Sequence, residues 1–137
     1  MRVRRFTDYG LRVLLYAAER PGRRCPIPEI ARAHGISEHH LVKVAHTLGK
    51  LGWLDTLRGR GGGVTLAVPP ETIRLGAVVR RLEGEETVVD CVGCLLKGRC
   101  GLACALHAAT QAFYAALDQV TLADVAAGRP AGLAGVA

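Results

Sequence analysis

Aromatic side chains are nearly missing from this 137-residue chain, which has one Trp, three Tyr and two Phe. A core with so few rings must be aliphatic and alanine-rich, and with half of the residues hydrophobic there is enough material for one compact domain. No run of about 18 apolar residues occurs, so no transmembrane helix is expected. The basic start Met1-Arg2-Val3-Arg4-Arg5 is followed by neither an uninterrupted apolar stretch nor a cleavage site. A secretory signal is therefore not expected, and a cytoplasmic protein is. There is no internal repeat. No βαβ pattern surrounds Cys91-Val92-Gly93-Cys94, which weighs against a thiol oxidoreductase and against an enzyme altogether.

Acidic residues are scarce in the first half. Residues 1–60 hold 12 Lys+Arg against 5 Asp+Glu, a balance of +7, whereas residues 61–137 hold 6 against 7, a balance of −1. A basic half joined to a neutral half points to a polyanion-binding module with something attached.

Hydrophobic periodicity says what that module is. Phe6 to Arg20 reads as a helix with a broad apolar face, with Thr7 or Asp8 as candidate caps and Pro21-Gly22 as its stop. Pro26-Ile27-Pro28 opens a second short helix, Glu29 to His34, broken by Gly35. Ser37 then suits the N-cap of a third helix, Glu38 to about Leu51. Two short helices joined by a glycine turn outline a helix-turn-helix, whose second helix enters the major groove. Ser37, His39, His40 and Lys43 near its start are the candidate DNA contacts. After Gly52 the period changes to that of two short strands, Trp53 to Leu57 and Gly63 to Val68. Between them lies Arg58-Gly59-Arg60-Gly61-Gly62-Gly63. Glycines let backbone approach phosphate and arginines suit a narrow minor groove, so this loop reads as a DNA-binding wing carrying Arg58 and Arg60. Arg2, Arg4, Arg5 and Arg12 are candidate phosphate contacts. A further short helix is expected from Leu75 to Leu82, and a long alanine-rich one from Leu102 to about Val120.

Four of the five cysteines, Cys91, Cys94, Cys100 and Cys104, fall within 14 residues with the spacing C-x2-C-x5-C-x3-C. In a reducing compartment such a cluster binds metal more often than it forms disulfides. Thiolates select zinc, copper(I) or iron–sulfur clusters. A closed tetrahedral zinc site and a cluster both remain open on spacing alone, although zinc sites usually show two C-x2-C pairs and here there is one. Cys25 stands apart and reads as a small buried hydrophobe.

Phe6-Thr7-Asp8-Tyr9-Gly10-Leu11-Arg12, Gly35-Ile36-Ser37, the Arg58-to-Gly63 loop and Leu82-Glu83-Gly84 together resemble the Rrf2 family of bacterial repressors. Val89-Asp90-Cys91, Cys94-Leu95-Leu96-Lys97-Gly98-Arg99-Cys100 and Phe113 to Asp118 resemble its nitric-oxide-sensing members, and Leu122-Ala123-Asp124-Val125 continues the match. The likeness runs over roughly residues 2–126. It implies a mainly α fold with a small β-wing, that is, a winged helix-turn-helix with a long C-terminal dimerisation helix. The expected layout is a DNA-binding region (1–82), a cluster loop (83–104), a dimerisation helix (105–127) and a flexible tail (128–137).

The resemblance also implies a 4Fe–4S cluster, with 2Fe–2S and zinc as alternatives, held by Cys91, Cys94 and Cys100. The fourth ligand would be Asp8 from the other subunit of a homodimer, and nitric oxide would release a palindromic operator in double-stranded DNA. Members that sense cluster supply place a histidine three residues after the last cysteine; that position here is Ala103. The first cysteine gap is two residues where the family usually has four or five, and Cys104 is an extra thiol that could replace Asp8. His107 is a weaker candidate.

Overall fold

The computed structural model describes residues 2–84 and 88–128. The expected tail beyond Gly128, and Glu85 and Glu86 of the acidic stretch, lie outside them. The element order is α1 (Arg5–Ala18), α2 (Ile27–His34), α3 (Glu38–Lys50), β1 (Leu54–Leu57), β2 (Gly63–Leu66), a 3-10 turn (Pro70–Thr72), α4 (Leu75–Glu83), α5 (Leu102–Asp118) and α6 (Leu122–Ala126).

Helix α1 is the hub, packing against α3, α4, α6, β2 and α2. It starts earlier than Thr7 or Asp8 would set it, so neither residue caps it. Arg4, extended at φ −62°, takes the N-cap position without a side-chain cap bond. Its backbone N–H donates to Glu83 Oε1 at 2.8 Å and its guanidinium donates to the Glu83 carbonyl at 3.0 Å. Thr7 is fully buried instead. At Gly10 a Cβ would meet the end of the Leu82 side chain, so α1 and α4 pack closely there and a larger residue would make Leu82 shift.

Pro28 sits in the first turn of α2, where a missing N–H costs nothing. Gly35 closes α2 in the left-handed region, φ 64° and ψ 35°, which turns the chain into α3. Ser37 holds the N-cap position of α3, but its side chain makes no cap bond. Leu41, Val44, Ala45 and Leu48 bury one face of α3 against Val13, Leu14 and Ile30.

β1 and β2 pair antiparallel from Leu54↔Leu66 to Leu57↔Gly63. The pair is pinned to the core by Cys25, which exchanges two backbone hydrogen bonds of 2.8 Å with Val64. The Cys25 side chain is fully buried, as a small hydrophobe would be.

The long alanine-rich helix, expected from Leu102 to about Val120, is α5, but it does not run on to residue 127. It ends at Asp118, and Thr121 starts a separate helix, α6, through a capping box with Asp124. Leu122, wholly buried, returns this segment to the core beside Ile73. Helix α5 itself packs on α4, where Gly76 lies directly against Asp118 and Arg80 bonds Asp118 at 3.0 Å.

Candidate functional site

Two regions carry chemistry. The first is the face formed by α3 and the hairpin. Ser37 at the N-cap of α3 and His39, His40 and Lys43 on its first half are all exposed, and Arg58 and Arg60 are exposed at the hairpin tip. The His40 ring lies 6.2 Å from Tyr9 and 6.1 Å from His39. Between α3, the start of α2 and the hairpin runs a cleft of about 720 Å³, lined by Ile27, Val42, His46, Leu57, Arg58 and the loop glycines among others. Gly59 and Gly61 sit at φ 84° and 70°, backbone that only glycine adopts freely, which makes the tip a tight glycine turn.

The hairpin base is braced by a residue that periodicity does not reveal. Arg24 donates to Asp55 at 3.1 Å and to the Gly63 carbonyl at 3.3 Å. The start of α2 is held by a second network. Arg23 bonds Glu29 through both guanidinium nitrogens at 2.7 Å, and the Tyr16 hydroxyl donates to Glu29 at 2.7 Å. The Arg23 hydrogen bonds, helped by Tyr16, hold the Glu29 carboxyl down to about 2. Arg20 stacks on the Tyr16 ring at 3.6 Å. Of the other candidate phosphate contacts, Arg2 and Arg5 are exposed, Arg4 is engaged with Glu83, and Arg12 bonds Asp8.

The second region is the cysteine segment. Cys91, Cys94 and Cys104 are exposed and Cys100 is half-buried; all four are free thiols. Gly93 and Gly98, at φ 73° and 85°, shape a chain of turns, with Lys97 N–H donating to the Cys94 carbonyl at 3.1 Å. Cys104 lies in the first turn of α5. Among the described residues no three Cys, His, Asp or Glu side chains are grouped closely enough to hold a metal ion. The donor chemistry nevertheless fits a soft metal centre, because the thiols are unpaired, accessible and borne on a segment with little packing of its own. Val92 and Leu95 are 87% and 94% exposed, so this segment buries almost nothing that would fix its shape. Asp8 is remote in sequence and paired with its own Arg12, both carboxylate oxygens lying 3.1 Å from Arg12 Nε. His107 and Cys91 line one cavity of about 660 Å³ between the segment, α4 and α5.

Residues 3–128 match the family model described as "Rrf2: Iron-dependent Transcriptional regulator". The chain belongs to the Rrf2 family. It is 44% identical over 131 residues to the HTH-type transcriptional regulator NsrR of Bacillus subtilis (strain 168), covering 91% of this chain and 90% of that one. As an Rrf2 regulator of NsrR type it is a DNA-binding transcription regulator and not an enzyme. Solved structures agree on the winged helix fold. CymR (YrzC), the global cysteine regulator of B. subtilis, superposes with a TM-score of 0.77 at 27% identity, over 93% of this chain and 98% of its own. IscR of T. potens gives a TM-score of 0.74 at 27% identity, over 100% of this chain and 93% of its own. Among the described residues no helix is long and apolar enough to cross a membrane.

Proposed function

We propose that the chain is a homodimeric repressor whose hold on a palindromic operator depends on a 4Fe–4S cluster bound by Cys91, Cys94 and Cys100, and which leaves DNA when nitric oxide is present. The observation that carries this reading is the set of four free thiols between Cys91 and Cys104, joined to a winged helix in a chain 44% identical to a regulator named NsrR. The family description as iron-dependent supports it. Helix α5 supports the homodimer: none of its 17 residues is buried although it is rich in Ala and Leu, so a second copy laid along it would cover apolar surface. Such a pairing would present two α3 helices, one to each half-site of a palindrome.

The chemistry a bound cluster supplies is a set of irons on which nitric oxide competes with protein ligands. The rest falls to this chain. Cys91, Cys94 and Cys100 donate soft thiolates from the exposed segment. Asp8 of the second copy is the fourth donor, reached by giving up its exposed pair with Arg12, a loss of about 0.3–0.5 kcal/mol. Asp8 lies on α1, against which α3 packs, so a bond through Asp8 fixes the reading helix of the second copy. Cys104 is the competing fourth donor and would close the site within one subunit.

The test is an anaerobic absorption spectrum with iron and sulfide counts, and operator affinity before and after nitric oxide. A brown protein absorbing near roughly 400 nm, as thiolate-bound clusters do, that loses affinity on treatment supports the reading. Unchanged affinity sinks it, and a colourless zinc protein replaces it with a zinc-stabilised DNA-binding protein. Asp8→Ala and Cys104→Ala, compared by spectrum, assign the fourth ligand.

A further inference from the structure

Helix α3 contains five apolar residues, and four of them belong to the core. Leu41, Val44, Ala45 and Leu48 are all at most 4% exposed, whereas Val42 is 52% exposed. Val42 stands on the outward face between His39, three residues before it, and His46, four residues after it, with Lys43 beside it. All three of these neighbours are exposed, so an isopropyl group interrupts a stripe of imidazoles and ammonium. Local structure gives no reason for it. A β-branched side chain on an exposed helix face loses rotamer freedom, and alanine there would favour the helix more.

Val42 also lines the cleft between α3 and the hairpin, together with Ile27 and Leu57, while Arg58 and His46 supply polar groups to the same cleft. On the reading of α3 and the hairpin as the DNA-facing side, this apolar surface faces the operator. In the major groove the base edges present hydrogen-bond donors and acceptors, and one apolar group, the 5-methyl of thymine. Cytosine offers an amino group at the neighbouring position, which an aliphatic side chain leaves unbonded.

We infer that Val42 is a specificity-determining residue whose exposed isopropyl group packs on the 5-methyl group of a thymine in each operator half-site. The inference rests on α3 as the reading helix, whichever metal the cysteines hold, and its test uses the protein in the form that binds DNA. It predicts discrimination of thymine from cytosine at one position, with little contribution to affinity for unrelated DNA.

The experiment uses the full chain and a duplex that it selects from a randomised pool. Each thymine of the selected duplex is replaced in turn by deoxyuridine, which removes only the methyl group. Wild type should lose about fourfold in affinity at one thymine per half-site, the factor that burying one carbon gives. Val42→Ala, whose melting temperature is measured beside wild type, changes both subunits and should bind the thymine duplex about sixteenfold more weakly, about fourfold for each half-site, and no longer distinguish uracil from thymine there. Val42→Thr, which keeps one methyl, should retain part of the discrimination. The inference is overturned if no thymine of the selected duplex is sensitive to deoxyuridine, or if Val42→Ala keeps the full discrimination. Lys43→Ala separates the two levels: if it too leaves affinity unchanged, α3 is not the reading helix; if it weakens binding while deoxyuridine sensitivity is unaffected by Val42→Ala, only the role of Val42 falls.

Discussion

Gly63→Ala is the substitution for which the structure makes the sharpest demand. A Cβ at Gly63 would land on the Cys25 carbonyl oxygen, 2.6 Å from its carbon and 2.9 Å from Pro26 N. All three are backbone atoms of the segment leading into α2, and none can rotate away as a side chain would. Gly63 also sits at φ 143°, where a side chain is strained whatever the space, by an order of 1–3 kcal/mol. The chain can relieve the clash only by parting the Cys25–Val64 bridge, two hydrogen bonds of 2.8 Å. Their net worth is about 1–3 kcal/mol. The two losses overlap, because parting the bridge relaxes the backbone, so a destabilisation of about 2–3 kcal/mol is expected.

For a domain of this size that lowers the melting temperature by roughly 6–12 °C. The same displacement moves β2, and with it Arg58 and Arg60, so operator affinity should fall as well. Differential scanning fluorimetry and a gel-shift titration measure both. Gly101→Ala is the control, since its φ is −75° and a Cβ there meets nothing within 4 Å. If Gly63→Ala melts within about 1 °C of wild type and binds DNA equally, the bridge does not hold the hairpin and the account of the wing is wrong.

Arg58→Ala should weaken operator binding, and if Arg58 meets a phosphate the slope of log affinity against log salt should shrink by about 0.9; an unchanged affinity removes the hairpin tip from the interface. Glu29 links stability to pH. Its carboxyl is held at about 2, below the ordinary 4.5, so the stabilisation from Arg23 and Tyr16 is complete above pH 4.5 and is lost as pH falls towards 2. Thermal melts between these values should show a decline that is smaller in Glu29→Gln, and identical pH profiles would contradict it.

Much of the architecture was legible from residue order. The apolar spacing of α1 and α3, the glycine at position 35 and the change of period after Gly52 each correspond to an element within a few residues of its expected place. The failures have a common cause. Thr7 and Asp8 read as caps because they are good capping residues, but the helix start is set by Glu83, distant in sequence, which takes the Arg4 N–H. The single helix expected over residues 105–127 is cut at Asp118, because Leu122 must reach the core and does so by forming a separate turn. Arg24 leaves no signature in residue order, because its partners, Asp55 and the Gly63 carbonyl, lie far along the chain.

By itself, the sequence determined that a basic helix-turn-helix with a glycine–arginine hairpin is joined to four closely spaced thiols, since periodicity, turn residues and ligand type are local properties. The tertiary structure decided what depends on distant partners. It ties the hairpin to Cys25 and puts Val42 outside the core. It also shows the cysteine segment as a chain of exposed turns, because among the described residues the segment buries too little apolar surface to fix a packed shape.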